Sequence, residues 1–99
     1  MIFERAVIKV KPGEEANFMA AVQAAAPLFQ RAKGCVSMQL EQSVEYPDTY
    51  TLVVGWQTVE DHTVDFRNSA DFQEWRRLAG PYFAEPPAVQ HLSTVLQAF

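Results

Sequence analysis

The sequence predicts a single α+β domain, residues 1–99, in which two helices cover one face of a four-stranded antiparallel sheet. Its 99 residues are enough for one domain. Stretches rich in β-branched and aromatic residues alternate with stretches whose apolar residues recur at steps of three and four. Their order along the chain is β-α-β-β-α-β. With right-handed crossovers, that order gives the ferredoxin-like arrangement.

The first third of the chain predicts a strand and a long helix. Residues 2–10, IFERAVIKV, form the strand, and a Pro-Gly turn ends it. Residues 14–33 form the helix, with Pro27 inside it. Because proline has no N–H to donate, we expect a kink there or two abutting helical pieces. Gly34 should close the helix in a left-handed conformation. One apolar stripe defines the helix: Phe18, Val22, Ala25, Phe29 and Ala32.

Two further strands should pair as an antiparallel hairpin. Residues 35–44 alternate between apolar and polar side chains, and residues 49–57 follow after the turn EYPD. Each strand should present one apolar face. These faces hold Val36, Met38, Leu40 and Val44 in the first strand, and Tyr50, Leu52, Val54 and Trp56 in the second.

The remainder predicts a broken helix and a last strand. Thr58 suits the N-cap of a helix over residues 58–68. Asp61, three residues later, can accept a hydrogen bond from the backbone N–H of Thr58. A second helical piece should begin near Ser69, and Gly-Pro at 80–81 should end it. Residues 88–97 predict the last strand.

Composition and charge exclude several classes of function. The net charge is −4 and no Lys/Arg cluster is present, so nucleic acid and membrane are not expected partners. Cys35 is the single cysteine, which rules out an intrachain disulfide and a cysteine zinc site. No signal peptide or long apolar run is evident, so a cytoplasmic protein is expected. Nucleotide and flavin motifs are absent, and two distant histidines make a poor metal site.

Apolar residues fall on both faces of the predicted sheet, although the helices cover only one. Val7 lies opposite Ala6 and Ile8, and Val53 lies opposite Leu52. A half-solvated face is normal for an antiparallel sheet. In a chain this small, however, we expect a homodimer joined through the open face.

Four segments carry a resemblance to a known family. VKPGEEANF (10–18), GWQTVEDH (55–62), FRNSADFQEWR (66–76) and PPAVQH (86–91) resemble the antibiotic biosynthesis monooxygenase family of dimeric α/β-barrel proteins. The family includes cofactor-independent monooxygenases of anthrones, quinol monooxygenases and haem-degrading enzymes. The resemblance implies two sheets packed back to back, with a pocket between each sheet and its own helices.

Two residues are candidates for catalysis in such a pocket. His62 could accept a proton from an acidic phenol or hydroquinone, although a half-buried histidine bonded to a carbonyl or a carboxylate is equally consistent with the sequence. Arg67 could stabilise the resulting anion; alternatively, it is a surface arginine paired with Asp71 or with a partner subunit. Flat apolar walls suit a planar aromatic substrate. The candidates for substrate binding are Trp56, Phe66, Phe72, Trp75, Tyr82 and His91.

The haem-degrading branch fits less well. Its pattern places an asparagine, a tryptophan and a histidine where this chain has Ala6, Phe66 and Arg76, which leaves haem iron without an axial ligand. The resemblance therefore implies an oxidoreductase, a cofactor-independent monooxygenase that oxidises a phenol, quinol or anthrone with O₂ and needs no cofactor and no metal. The alternatives are a non-catalytic dimer that binds a small aromatic molecule and a proton-transfer enzyme that does not use O₂.

Overall fold

A four-stranded antiparallel sheet with two main helices forms the molecule, as the sequence predicted. The computed structural model describes all 99 residues. The strands are β1 (Ile2–Lys9), β2 (Cys35–Gln42), β3 (Thr49–Trp56) and β4 (Ala88–Leu92), and the helices are α1 (Glu15–Gln30) and α2 (Ala70–Ala79). Strand order in the sheet is β2-β3-β1-β4. This is the ferredoxin-like order, with β1 and β3 at the centre.

The core lies between the helices and one face of the sheet. The alternation in β3 is as expected, because Tyr50, Leu52, Val54 and Trp56 are all buried on the helix side. Helix α1 contributes a buried stripe that meets them, and Phe29 stacks at 4.8 Å between ring centroids on Phe66. The buried residues of α1 are Phe18, Val22, Ala25, Leu28 and Phe29.

Helix α1 continues through Pro27 rather than breaking into two pieces. It ends at Gln30, three residues before the predicted end. Gly34 has the expected left-handed conformation, with φ of +78°. A Cβ atom at this position would overlap the carboxylate of Asp61. Glycine is therefore required here for two reasons, its backbone conformation and the close approach of the Asp61 carboxylate.

Strand β2 departs from strict alternation at its start. The pairing with β3 shifts between Cys35 and Ser37, which is a β-bulge. As a result Cys35 packs against the core while Val36 is exposed. The prediction that Val36 shares a face with Met38 and Leu40 was wrong, because the bulge reverses the side-chain direction. Val44 is also exposed, beyond the end of the strand.

The last strand is shorter than predicted. Leu92 pairs with Phe3, near the beginning of β1. The prediction of a strand to residue 97 was wrong because β1 has almost no residues left to pair with the chain after Leu92. Residues 93–99 therefore have no regular secondary structure within one chain. None of the helices has the length and apolar character needed to cross a bilayer.

Candidate active site

A pocket of about 770 Å³ lies between the helix-facing side of the sheet and α2, and it opens to solvent. The sheet forms its base, the helical residues form one wall, and the chain after α2 forms the rim. That chain is fixed against the end of β1, since the N–H of Ala84 donates to the carbonyl of Lys9 at 2.7 Å. The lining residues are Glu4, Ala6, Ile8, Leu52, His62, Arg67, Phe72, Trp75, Arg76, Arg77, Gly80, Pro81, Phe83, Glu85, Pro86, Pro87 and Val89.

Glu4 is a buried carboxylic acid at the base of this pocket, with 5% of its surface exposed. It points inward because side chains two residues apart in a strand lie on the same face, and Glu4 shares its face with Ala6 and Ile8. The indole Nε1 of Trp56 donates a hydrogen bond to its Oε1 at 3.0 Å. Every fully buried side-chain oxygen in the protein has a hydrogen-bond partner, whereas Oε2 of Glu4 has none. Oε2 is therefore not fully buried, and because Glu4 lines the pocket, it is the oxygen available to a ligand there.

Burial raises the pKa of Glu4 to about 7, because the carboxylate loses its hydration. The hydrogen bond from Trp56 and the charge of Arg67 act in the opposite direction, since both favour the carboxylate. Near neutral pH the group exists in both protonation states. A carboxylate with such a pKa is matched to proton transfer at neutral pH.

His62 reaches the pocket from a π-helical turn, Asp61–Phe66, that follows β3. The turn starts as predicted, because the N–H of Asp61 donates to Oγ1 of Thr58 at 3.1 Å. It is closed by a bond from the N–H of Arg67 to the carbonyl of His62. In a turn closed by such a five-residue step, residues five apart share a face. Asp61 and Phe66, which are five apart, are both buried, and so is His62, four residues before Phe66.

The imidazole of His62 is held on three sides. Its Nε2 lies 3.3 Å from Oε1 of Glu4, its Nδ1 lies 2.8 Å from Nε2 of His91, and its ring stacks on Trp56 at 5.2 Å. Burial lowers the pKa of His62 to about 4, helped by the charge of Arg67 and by His91. His62 is therefore neutral at neutral pH, and its contact with Glu4 is a polar contact rather than an ion pair.

His91 lies on β4 directly opposite Glu4 in β1, so both side chains project to the helix side of the sheet. It is partly exposed, in contrast to His62. Because His62 is neutral, the tautomer of its ring decides whether its Nδ1 donates to His91 or accepts from it. Glu4, His62 and His91 thus form a continuous polar chain from the base of the pocket towards solvent.

Arg67 lines the pocket and its charge acts on both Glu4 and His62. The expected alternative, a pair between Arg67 and Asp71, is not formed. Asp71 instead accepts two hydrogen bonds at 2.7 Å from Arg31, at the end of α1. The guanidinium of Arg67 takes part in none of the ion pairs of the protein, which leaves it free for a ligand.

The aromatic candidates separate into two groups. Phe72 and Trp75 line the pocket from the first and second turns of α2. Helix α2 starts at the predicted cap, where Oγ of Ser69 accepts from the N–H of Phe72 at 3.1 Å. Trp56 and Phe66 do not belong to the pocket lining. They are fully buried behind the pocket wall, where Trp56 holds Glu4 and His62 in place.

Tyr82 and His91 also lie outside the pocket lining. Tyr82 belongs to a short 3₁₀ turn, Gly80–Tyr82, and its carbonyl accepts a hydrogen bond from the N–H of Lys11. This bond helps to fix the rim. His91 takes part only through His62. No group of three or more His, Cys, Asp or Glu side chains is arranged to hold a metal ion.

Sequence reasoning missed Glu4. The signal was present, because Ala6 and Ile8 fall on one side of the predicted strand, and Glu4 occupies the same side two residues earlier. A carboxylic acid on the covered face of a central strand is unusual enough to indicate a site. Arg76 and Arg77 were not predicted as pocket residues either, and both line its mouth.

Comparison with known proteins finds one matching family profile and related sequences and structures. The sequence profile described as antibiotic biosynthesis monooxygenase matches residues 1–78. The chain is 37% identical over 95 residues to the uncharacterized protein YczJ of Bacillus subtilis, covering 96% of this chain and 100% of the relative.

Solved structures share the architecture. A provisionally assigned antibiotic biosynthesis monooxygenase of Bordetella bronchiseptica is 59% identical, with a TM-score of 0.95 over 96% of this chain and 97% of that one. A conserved protein of Methanosarcina mazei is 20% identical, with a TM-score of 0.80 over 92% of this chain and 89% of that one. At that identity the likeness shows the fold alone.

Proposed function

Because the chain belongs to the antibiotic biosynthesis monooxygenase family, we propose that it oxidises a small electron-rich aromatic compound with O₂ and without a bound cofactor. The substrate class is a phenol, a hydroquinone or an anthrone. One observation carries the proposal. A carboxylic acid with a pKa of about 7 lies at the base of an apolar pocket, in contact with a neutral imidazole.

Proton removal is the step for which this arrangement is suited. Oε2 of Glu4 faces the pocket and takes the acidic hydrogen of the substrate. His62, the base expected from the sequence, has a pKa of about 4 and is a weaker base than Glu4. Its role in the proposal is to hold Glu4 through Nε2 and to pass protons to His91 through Nδ1. Glu4 is thus the catalytic base, and His62 and His91 form the proton outlet.

Stabilisation of the resulting anion falls to Arg67. Its guanidinium lines the same pocket as Glu4 and has no carboxylate partner. A fixed positive charge beside an apolar wall favours a phenolate or enolate over the neutral substrate. Phe72 and Trp75 provide flat walls for the ring system.

The oxidation itself uses the electrons of the substrate. The carbanion or enolate transfers one electron to O₂, which gives a substrate radical and superoxide. The two recombine to a peroxide at carbon. Loss of a proton from that carbon then cleaves the O–O bond, so that one oxygen atom stays in the product as a carbonyl and the other leaves as water. The protein supplies the base that forms the anion, the positive charge of Arg67 and the aromatic walls of Phe72 and Trp75.

Oxygen uptake by the protein and by Glu4→Gln tests this function. Glutamine keeps the size of the side chain and an oxygen for Trp56, but it cannot accept the proton. With a panel of hydroquinones and anthrones in air, we expect at least a roughly 100-fold loss of enzymatic uptake in Glu4→Gln. Glu85→Gln is the matched control, since Glu85 lines the same pocket but is exposed. Equal uptake by Glu4→Gln and the unsubstituted protein would remove Glu4 from the mechanism.

Two other outcomes identify the alternatives. A raised melting temperature without oxygen uptake for any member of the panel would indicate a binding protein. Turnover under anaerobic conditions would indicate a proton-transfer enzyme that needs the base but not O₂.

The open sheet face supports a homodimer as the functional form. Members of this family are commonly dimeric. Val7, Val36 and Leu92 are exposed on this face or at its edge. The segment after β4 adds Val95, with 94% of its surface exposed, and Leu96, with 80%. In our proposal a second copy of the chain covers these residues, because so much apolar surface is costly to leave in water.

A further inference from the structure

The mouth of the pocket differs in charge from the rest of the molecule. The chain carries a net charge of −4, yet three of its eight basic residues line this one pocket. They are Arg67, Arg76 and Arg77. The acidic residues of the lining are Glu4, which burial holds partly protonated, and Glu85. The local charge at the mouth is therefore positive in a protein that is negative elsewhere.

The arginines of this region are not equivalent. Arg77 is occupied, because its Nε and Nη2 donate to the two oxygens of Glu74 at 2.6 Å. Arg31 is occupied in the same way by Asp71. Arg76 stands next to Arg77 on α2, but its guanidinium takes part in none of the ion pairs of the protein. It is a free donor group at the edge of an apolar pocket.

Arg76 is also held in a position that faces the pocket. It follows Phe72 by one helical turn, and its guanidinium carbon lies 6.0 Å from the centre of the Phe72 ring. Phe72 is itself a wall of the pocket. A guanidinium over an aromatic wall can bind a carboxylate with two parallel N–H donors while the wall contacts the adjoining ring.

The pocket therefore has an order of polarity from base to mouth. A proton acceptor, Glu4, lies at the buried end. An apolar section with Phe72 and Trp75 follows, and an unoccupied guanidinium, Arg76, lies at the exposed end. We propose that the substrate is an aromatic acid, whose carboxylate or equivalent anionic group binds Arg76 while its acidic phenol or C–H group reaches Glu4. This inference rests on the proposed function, because it takes the same pocket as the substrate site.

Binding of 2-naphthoic acid and of its neutral amide, measured by calorimetry, tests the inference without any turnover. We expect the protein to bind the acid about tenfold more tightly than the amide. Arg76→Gln should reduce this ratio to about one or two by weakening only the acid. Arg77→Gln is the matched control, with the same loss of charge one residue away, and it should keep most of the preference. Arg76→Glu should favour the amide.

Equal binding of acid and amide by the unsubstituted protein would overturn the inference, as would an unchanged ratio in Arg76→Gln. Absence of acid binding up to about 10 mM would also overturn it. The proposed oxidation is tested separately by oxygen uptake. A protein that prefers the acid and consumes no O₂ would retain the anion site and lose the oxidase function. One that oxidises acids and amides equally would retain the function and lose the anion site.

Discussion

Oε1 of Glu4 lies 3.3 Å from Nε2 of His62, and both side chains are buried. Two groups that carry charge in water are thus placed together where neither is readily charged. Burial shifts their pKa values in opposite directions, upward for the carboxyl and downward for the imidazole. At neutral pH His62 is consequently neutral, and Glu4 is divided between its protonated and ionised forms.

Glu4 and His62 contribute to the free energy of unfolding with opposite dependences on pH, so the two contributions can be measured separately. The pKa of Glu4 is raised from 4.5 to about 7, so its contribution is fully present below pH 4.5 and is lost as the pH rises through 7. The pKa of His62 is lowered from 6.5 to about 4, so its contribution is present above pH 6.5 and is lost as the pH falls through 4. Each amounts to a free energy of unfolding on the order of 3 kcal/mol.

Denaturant unfolding between about pH 4 and 7 should therefore give slopes of opposite sign in two variants. In Glu4→Gln only the His62 contribution remains, and stability should rise with pH. In His62→Gln only the Glu4 contribution remains, and stability should fall. The unsubstituted protein should vary little between pH 4.5 and 6.5, because the two contributions oppose each other. Slopes of the same sign in the two variants would contradict the assignment.

The hydrogen bond from Trp56 should set the pH dependence of the proposed oxidation. Trp56→Phe keeps an aromatic ring against His62 but removes the donor to Glu4, so the pKa of Glu4 should rise further. The rising limb of kcat/KM against pH should move about one unit to higher pH. Trp75→Phe, which changes a pocket wall without a bond to Glu4, should leave the limb in place even if KM changes. If the rising limb of kcat/KM does not move in Trp56→Phe, ionisation of Glu4 does not determine that limb.

Gly34→Ala should destabilise the fold more than the same change at Gly13 or Gly80. It combines a left-handed backbone with a Cβ position that overlaps the Asp61 carboxylate, and we expect a loss of at least about 2 kcal/mol. Gly13 also has a positive φ angle, but the space around it is open. In Gly13→Ala, backbone strain alone should therefore lower the free energy of unfolding by about 1 kcal/mol. Gly80→Ala, with helical angles and open space, should be close to neutral. Thermal melting of the three variants measures the order, and equal losses at Gly34 and Gly13 would exclude a contribution from Asp61.

A lysine introduced on the open sheet face should prevent the proposed dimer from forming. Val7 lies near the middle of that face, paired with Thr51 in β3 and with Ala88 in β4. Light scattering after size-exclusion chromatography should give the mass of two 11.2 kDa chains for the unsubstituted protein and of one for Val7→Lys. Val64→Lys introduces the same charge at an equally exposed valine on the helical side and should remain dimeric. A single-chain mass for the unsubstituted protein at every concentration would end the dimer proposal.

The sequence predicted those features that depend on local chemistry. The caps at Thr58 and Ser69, the left-handed Gly34 and the alternation in β3 all follow from the side chains of a few neighbouring residues. Features that depend on distant chain segments were missed. The bulge at Cys35 depends on how β2 meets β3, and the early end of β4 depends on where β1 starts. Glu4 could have been found from the alternation of β1, but its pKa could not. Burial under the packed helices raises that pKa, and Trp56 and Arg67, which lower it, belong to other parts of the chain.

The rim of the pocket contains two consecutive prolines, Pro86 and Pro87, and an adjoining stretch bonded to β1 at Ala84. Prolines have fixed φ angles and no N–H groups to rearrange. In the proposed function, a compound that enters past this rim would lose little affinity to ordering the chain. Selection among related compounds would then depend on size at this entrance, so that adding bulk to a ligand next to its anionic group should weaken binding abruptly rather than gradually.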